Sequence, residues 1–238
     1  MVFSTDYTTR WHDTDAERNV RPSAVLVYMQ ETSNKHLAES GMSLDTLRDE
    51  KGLAFILSKI RIAFHRPLHA FEDIHVETFT CPSRGYSSLR GYRILSGGEV
   101  VAEADTTWAL LDIKERQLRR MEETGYVFDD EPALSLNVPS RTRAAADIEM
   151  VELGNRHIVY SDLDYNMHMN NTHYPDMLCD FLPIEKVGHI KGMTLSYLHE
   201  AAFGDTVNVF RGEKDGTYYF RTVNGEGVIC LEAVVVTE

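Results

Sequence analysis

The feature that most constrains the fold is an order of predicted elements that occurs twice along the chain. In each half, a strand is followed by a short polar stretch, a helix and then four strand-like runs. An offset of 149 residues pairs Asp13 with Asp162 and Asp15 with Asp164, so two acidic residues precede the helix in both halves. A helix followed by a meander of long strands is an α+β unit. The chain is therefore predicted to contain two related α+β halves.

Sequence patterns give approximate bounds for these elements. Amphipathic stripes predict a long helix from Pro22 to Gly41, a shorter helix over residues 43–50 and a helix from about residue 172 to residue 181. Alternation and a high content of β-branched and aromatic residues predict strands at 4–12, 55–64, 74–81, 87–95, 100–113, 151–160, 190–199, 206–211, 217–223 and 228–236.

The periodic pattern fails in the middle of the chain, between about residues 121 and 148. Prolines and a cluster of acidic residues there are typical of a connector that crosses the surface. We therefore expect an N-terminal domain over residues 1–125, a linker over residues 126–148 and a C-terminal domain over residues 149–238.

Composition limits the classes of function. With 43% hydrophobic and 26% charged residues the chain is typical of a globular protein, and a net charge of −13 argues against nucleic-acid binding. No apolar run has the length of a membrane span, and the N-terminus lacks a signal or transit pattern. Three widely spaced cysteines suit a reducing compartment. We therefore expect a cytoplasmic protein without membrane or nucleic-acid partners.

Residues 161–172 combine a row of polar groups with a predicted helix start. A period of two places Asp162, Asp164, Asn166 and His168 on one face and apolar side chains on the other, which predicts an extended, half-buried segment. Thr172 is the predicted N-cap of the helix that follows. Unpaired N–H groups at a helix N-terminus can stabilise developing negative charge, so this segment is a candidate catalytic site.

The polar residues of this segment resemble the Asp-x-Asn-x-His-x-Asn-Asn signature of the acyl-acyl carrier protein thioesterases, at Asp164, Asn166, His168, Asn170 and Asn171. Those enzymes end fatty acid synthesis by hydrolysing the acyl thioester. The resemblance implies an α+β tandem hot-dog fold, in which each half is a long helix packed on an antiparallel sheet. It also implies that the N-terminal half holds most of the acyl pocket and the C-terminal half holds the catalytic residues.

The repeat agrees with an acyl pocket in the N-terminal half and catalytic residues in the C-terminal half. Glu17 and Asn19 stand in the first half where Asn166 and His168 stand in the second. Only the second copy has both the amide and the imidazole, so the first copy is predicted to be a degenerate site that binds substrate.

A second segment, which ends at Glu200, resembles the central strand of the same family. In that strand an acidic residue held near the His follows a Tyr by three positions. By analogy, Glu200 is the predicted general base and works with His168. Asn166 and the backbone N–H groups of residues 170–172 would orient the substrate or the oxyanion, and Asp164 would fix the orientation of its neighbours. Which of Glu200 and His168 activates the water stays open.

Other chemistries are alternatives to this one. Many plant members have a Cys after the Glu, whereas this chain has Ala201, which excludes a Cys–His nucleophile at that position and favours direct attack by water. Cys179 is a weaker candidate nucleophile. His168 and His173 are a weak candidate metal pair because no Cys or His partner lies nearby, so we expect no metal and no cofactor.

The acyl pocket is expected between the first helix and the first sheet. Ordinary core packing is the alternative for each apolar residue proposed there. The candidate substrate-binding residues are Val25, Met29, Ile56, Leu57, Asn170 and Asn171. The sequence does not predict the preferred chain length.

The predicted activity is hydrolysis of fatty acyl-acyl carrier protein to a free fatty acid and holo-acyl carrier protein. Acyl-coenzyme A hydrolysis and non-catalytic acyl binding are alternatives, because a fold does not decide the carrier. Acyl carrier protein is acidic, so a local basic patch is expected to bind it. The candidates for this patch are Lys114, Arg116, Arg119, Arg120, Arg141 and Arg143. We expect a monomer or a homodimer, since a duplicated chain already contains the pairing that single hot-dog proteins obtain by dimerising.

Overall fold

The two halves of the chain form one antiparallel sheet. The structure, a computed structural model, describes residues 1–125 and 130–238, and within those residues eleven strands belong to this sheet. The strands are β1 Phe3–Thr8, β2 Leu53–Phe64, β3 Asp73–Arg84, β4 Ser87–Ser96, β5 Glu99–Asp112, β6 Gln117–Arg119, β7 Val151–His157, β8 Ile190–Tyr197, β9 Thr206–Lys214, β10 Thr217–Val223 and β11 Ile229–Thr237. The α-helices are α1 Pro22–Glu39, α2 Tyr174–Asp180 and α3 Ile184–Val187.

The order of strands across the sheet reflects a duplication. From one edge to the other it is β1-β3-β4-β5-β2 and then β8-β11-β10-β9-β7, with β6 attached to β5. When β7 to β11 are matched with β1 to β5, the second series is the first in reverse. The halves join where β2 pairs with β8, from Lys59 opposite Ser196 to Ala63 opposite Gly192. The predicted pair of α+β halves is therefore confirmed.

Helix α1 packs on the first half of the sheet and lies against β1 and β3. Pro22 occupies its first turn, where a missing N–H costs little, and Gly41 follows its end with φ of +75°. Val25 and Met29 on its buried face are each 1% exposed. Burying one such side chain contributes about 1.5–3 kcal/mol to folding.

The helix of the second half is much shorter than α1. Helix α2 has 7 residues and follows a 3-10 turn at Asn171–His173. Pro183 lies three residues beyond the end of α2, and the residue before a proline avoids helical geometry. The predicted position of this helix, from about 172 to 181, agrees with the structure, while its regular part is limited to one to two turns.

Several predicted bounds differ from the structure. The strand predicted at 4–12 ends at Thr8, because the Asp13 carboxylate accepts the Arg10 N–H at 3.1 Å and turns the chain into a 3-10 turn at Trp11–Asp13. Most of the helix predicted at 43–50 is a π-helical turn, Thr46–Glu50. Strand β6 and helix α3 had no counterpart in the prediction.

The connector between the halves crosses the face of the sheet that points away from the core. Residues 130–150 contain no helix or strand. The Pro139 carbonyl accepts a hydrogen bond from the Thr194 hydroxyl at 2.6 Å, and the Thr142 hydroxyl donates to the Ser196 hydroxyl at 3.0 Å. The first part of the predicted linker, residues 126–129, lies outside the described residues. None of the helices described is both long and apolar enough to cross a bilayer.

Candidate active site

A tight turn at Asp164 organises the polar segment between β7 and α2. The Met167 N–H donates to the Asp164 carbonyl at 3.1 Å, and the Asp164 N–H donates to the His168 carbonyl at 2.9 Å. Asp164 Oδ1 also accepts the N–H groups of Asn166 at 2.8 Å and of His168 at 3.4 Å. The carboxylate therefore fixes the backbone on which Asn166 and His168 are carried.

Because of this turn, the prediction that residues 161–172 form an extended segment with a buried apolar face was wrong. Tyr165 is 68% exposed and Met167 is 54% exposed, with φ of +66° at Met167. Asp162, which was expected on the polar face, is instead 3% exposed and binds Arg156 and the Val159 N–H. The alternating pattern was misleading because Asp side chains bond to nearby N–H groups and compete with strand geometry.

The first half contains the same turn at the positions that the offset of 149 residues makes equivalent. Asp15 Oδ1 accepts the N–H groups of Glu17 at 2.9 Å and Asn19 at 3.0 Å. Arg18 has φ of +69°, close to the value at Met167. The duplication therefore extends to the hydrogen bonds of the turn, while the side chains that it presents have diverged.

A short antiparallel contact brings His168 close to Glu200. His168 is bridged to Ala202, the Met169 N–H donates to the Ala201 carbonyl at 2.9 Å, and the Phe203 N–H donates to the Met167 carbonyl at 3.2 Å. As a result His168 Nε2 lies 3.3 Å from Glu200 Oε2. The His168 side chain is 30% exposed and that of Glu200 is 62% exposed. The imidazole and the carboxylate thus meet where water has access.

Asn170 caps the 3-10 turn that precedes the second-half helix, and the prediction that Thr172 is the N-cap was wrong. Asn170 Oδ1 accepts the Thr172 N–H at 3.0 Å and the Thr172 hydroxyl at 2.9 Å. The Asn170 carbonyl accepts the His173 N–H at 2.9 Å. The Thr172 N–H, which was expected to face an oxyanion, is therefore already bound.

Tyr197, at the end of β8, ties this helix start to the central strand. Its hydroxyl donates to the Asn171 carbonyl at 2.9 Å, and its ring packs edge-on against Tyr174 at 5.4 Å between centroids. Burial raises the pKa of both tyrosines well above the ordinary value. Both hydroxyls stay protonated at neutral pH, so Tyr197 acts as a donor.

Arg48, from the π-helical turn of the first half, reaches the motif of the second half. Its Nη1 donates to Asn166 Oδ1 at 2.9 Å, and its guanidinium carbon lies 5.1 Å from the centre of the Tyr165 ring. This contact fixes the Asn166 amide so that its NH2 group is the end left to donate. Sequence reasoning missed Arg48, because nothing local distinguishes it from a solvated surface residue.

A cavity of about 700 Å³ begins at this polar cluster and extends into the first half. Asp164, Asn166, His168 and Glu200 line it at one end. Other parts of its wall come from α1, β2, β4 and β5 and include Leu37, Ile56, Leu57 and Trp108. The pocket expected between the first helix and the first sheet is therefore present.

The predicted residues of the pocket divide into two groups. Ile56 and Leu57 line the cavity, as do Asn170 and Asn171. Val25 and Met29 instead lie in the core cluster, so ordinary packing accounts for their apolar character.

Family models match nearly the whole chain. The acyl-ACP thioesterase N-terminal domain model matches residues 1–126, which is more than half of the chain, and the acyl-ACP thioesterase C-terminal domain model matches residues 146–230. The chain belongs to the acyl-ACP thioesterase family. The resemblance inferred from the motif is therefore confirmed.

Curated members of the acyl-ACP thioesterase family are similar to the chain at low identity. An acyl-acyl-carrier-protein hydrolase of Cuphea viscosissima, FATB2, is 24% identical over 219 residues, which are 84% of this chain and 52% of that protein. A palmitoyl-acyl carrier protein thioesterase of Arabidopsis thaliana is 23% identical over 218 residues, again 84% of this chain and 52% of that protein. Both of those relatives are described as chloroplastic. The chain spans about half the length of these relatives.

Solved structures of the same family share the fold. An acyl-ACP thioesterase from Bacteroides thetaiotaomicron aligns with a TM-score of 0.88 and 18% identity, covering 100% of this chain and 98% of that one. A 12:0-ACP thioesterase from Umbellularia californica aligns with a TM-score of 0.85 and 18% identity, covering 100% and 97%. The predicted tandem hot-dog fold is therefore confirmed.

The weaker chemical alternatives find little support in this family member. Burial raises the pKa of the Cys179 thiol to about 12, with Asp176 and Asp180 adding to the effect, so a reactive thiolate does not form there at neutral pH. Among the described residues, no group of three or more His, Cys, Asp or Glu side chains is placed to hold a metal ion.

Proposed function

We propose that this chain hydrolyses the thioester of fatty acyl-acyl carrier protein and releases a free fatty acid and holo-acyl carrier protein. The observation that carries the proposal is the contact of 3.3 Å between His168 and Glu200 in the wall of a cavity of about 700 Å³. Membership of the acyl-ACP thioesterase family supports the same activity.

In the proposed mechanism, Glu200 takes a proton from a water molecule while that water attacks the thioester carbonyl carbon. His168 contacts Glu200 and shares the proton, and the tetrahedral oxyanion is stabilised by the NH2 group of Asn166. When the intermediate collapses, the carbon–sulfur bond breaks and the proton passes from the Glu200–His168 pair to the leaving thiolate. Asp164 contributes by holding the turn.

The halves are proposed to divide the work as the sequence predicts. Residues 1–125 would supply most of the acyl cavity, and residues 149–238 would supply the catalytic side chains. The contact between Arg48 and Asn166 supports a site that needs both halves, since it connects the cavity wall to the motif.

Acyl carrier protein is the proposed protein partner. Of the six basic residues predicted to bind it, Arg119 is paired with Asp112 at 2.9 Å, while Arg116 lines the cavity. We therefore assign the larger part of the recognition to Arg116 and its neighbour Lys114. A cytoplasmic location and a monomeric or dimeric state stay predictions from the sequence.

The experiment that tests this function compares carriers. The purified protein is assayed with one acyl chain on acyl carrier protein and on coenzyme A, and the Arg116→Glu variant is assayed beside the wild type. We expect faster turnover of the carrier-protein thioester and a selective increase of its KM in the variant. Equal or faster turnover of the coenzyme A thioester would favour an acyl-coenzyme A thioesterase, and no turnover of either would favour a non-catalytic acyl-binding protein.

A further inference from the structure

The part of the cavity wall that β3 and β4 form carries polar side chains. Arg90 and Ser88 on β4 and Thr80 on β3 all line the cavity, and Gln30 lines it from α1. Thr80 stands directly opposite Arg90 in the register of β3 and β4. Ser88 lies two residues before Arg90 and therefore on the same face of the strand. A pocket for a plain hydrocarbon does not need these groups.

Arg90 carries a buried charge that lacks a carboxylate partner among the described residues. The residue is 7% exposed, and its Nη1 donates to the Thr78 hydroxyl and to His36 Nδ1, each at 3.1 Å. Burial and the charge of Arg90 lower the pKa of His36 to about 4, so the imidazole is neutral and accepts this hydrogen bond at neutral pH. A buried charge without a carboxylate partner is energetically costly. A polar ligand that pairs with the guanidinium would therefore be favoured.

Besides Arg90, the lining of the cavity contains two buried polar atoms that have no hydrogen-bond partner in the part of the chain that the structure describes. They are the hydroxyl of Thr80, which is 7% exposed, and the amide nitrogen of Gln30. The large majority of buried polar groups in proteins are hydrogen-bonded. Gln30 and Thr80 line the cavity together with Arg90, so the three residues place a set of hydrogen-bond donors in its wall.

The position of this set in the sheet relates it to the far part of an acyl chain. The strand order runs β8, β2, β5, β4, so Arg90 lies three strands from the strand that ends at Tyr197, beside the catalytic residues. Neighbouring strands are about 4.8 Å apart, which places Arg90 on the order of 14 Å from β8 across the sheet. A thioester held at His168 and Glu200 would direct its distal carbons, not its carbonyl, toward Arg90.

We infer that Gln30, Thr80 and Arg90 form a polar subsite for an oxygen atom on the distal part of the acyl chain. The preferred substrate would then carry a hydroxyl or a carboxylate there and would not be an unsubstituted hydrocarbon. This inference rests on the thioester hydrolysis proposed above. Its chemistry is hydrogen-bond donation to an acceptor oxygen, which is strongest when the donor is charged.

The first test compares substrates of equal length. Acyl-carrier-protein thioesters with a methyl, a hydroxyl or a carboxylate terminus are prepared over a ladder of chain lengths, and kcat/KM is measured for each. We expect one of the oxygen-bearing series to exceed the methyl series by about tenfold or more at its best length, because hydrogen bonds to charged groups are among the strong ones. The preferred terminus distinguishes a hydroxyl from a carboxylate.

Three variants connect this preference to the subsite. Arg90→Met and Thr80→Val should reduce the ratio of kcat/KM for the oxygen-bearing series to that for the methyl series toward unity. Thr222→Val is the matched control, because the Thr222 hydroxyl is also buried and unpartnered among the described residues but does not line the cavity. If Arg90→Met does not fold, Thr80→Val and its control still decide the question.

A binding measurement separates this inference from the proposed activity. Free fatty acids with methyl, hydroxyl or carboxylate termini are titrated into the wild type and Thr80→Val by calorimetry. Tighter binding of an oxygen-bearing acid that is lost in Thr80→Val supports the subsite even if no thioester is hydrolysed. Equal or better use of the methyl series at every length, both as substrate and as ligand, overturns the inference while leaving the hydrolysis itself standing.

Discussion

Arg48 Nη1 lies 2.9 Å from Asn166 Oδ1, so a side chain of the first half fixes the amide of the candidate catalytic motif in the second. The two residues are 118 positions apart in the chain. The contact is exposed, so it contributes little to folding, but it decides which end of the Asn166 amide faces the cavity.

Replacing Arg48 with Met should therefore affect turnover more than stability. We expect kcat to fall by about three- to tenfold, the effect of losing one exposed hydrogen bond that orients a catalytic group. The melting temperature should stay within about 1–2 °C of the wild type. Steady-state kinetics and thermal unfolding check this, with Lys51→Met on the same segment as the comparison. A large loss of stability with unchanged kcat would contradict the orienting role.

The duplicated turn supplies an internal control for Asp164. Asp164→Ala and Asp15→Ala each remove a carboxylate that accepts two backbone N–H groups, so each should lower the free energy of unfolding by about 1–3 kcal/mol. Only Asp164→Ala should reduce kcat by tenfold or more, because only its turn carries His168. Urea denaturation and kinetics of both variants are compared. Equal kinetic losses in the two variants would contradict a specific role for the Asp164 turn in positioning His168.

Much of the fold was predictable from sequence because its signals are local. The period-two alternation and the β-branched and aromatic residues predicted the strands of both halves, and the offset of 149 residues predicted the duplication. The turn at Asp164 was not predicted, since its alternating residues also fit a strand and only the bonds to Asn166 and His168 decide between them. Local patterns report backbone tendencies, and side-chain bonds can override them.

The candidate site was predictable only in part. Glu200 and His168 came from a family resemblance, and the structure brings them together through the bridge between His168 and Ala202. Arg48 and Arg90 had no signal in the sequence, because their significance depends on partners far away in the chain. Val25 was assigned to the pocket because an apolar residue on a helix face has the same sequence pattern whether it lies in a core or in a cavity wall.

His36 makes stability depend on pH in a defined window. Its pKa in the folded protein is about 4, below the ordinary value of 6.5, because burial and Arg90 disfavour its charged form. The unfolded chain therefore binds the proton more tightly, and stability falls as the pH decreases from about 6.5 to about 4. The slope from this group is at most about 1.4 kcal/mol per pH unit.

The His36→Gln variant should lose less stability than the wild type across this window. Asp13, Glu72 and Asp162 have lowered pKa values, so their contributions begin to be lost near their ordinary values of 3.8 to 4.5, at the acidic end of the window, and they affect both proteins equally. Free energies of unfolding in urea at several pH values between 7 and 4 provide the measurement. Parallel curves for the two proteins would mean that His36 is not the responsible group.

Cys179 should be dispensable for catalysis. Its thiol has a pKa raised to about 12 by burial, so little thiolate exists at neutral pH, and it does not line the main cavity. We expect Cys179→Ala to keep kcat within about twofold, and we expect iodoacetamide to leave turnover of the native protein unchanged. Loss of activity in the variant at unchanged melting temperature would support covalent catalysis by the Cys179 thiol.

The catalytic pair is tested most directly by a double-mutant cycle on single-turnover hydrolysis of acyl-acyl carrier protein. Wild type, His168→Ala, Glu200→Gln and the double variant are compared. Glu39→Gln is the surface control, because Glu39 is exposed and does not line the cavities around the pair. Because groups that act as one unit are not additive, each single variant should lose about a hundredfold or more and the double variant little beyond that. Hydrolysis near the wild-type rate in both single variants, or losses that simply multiply in the double variant, would contradict a joint role for His168 and Glu200.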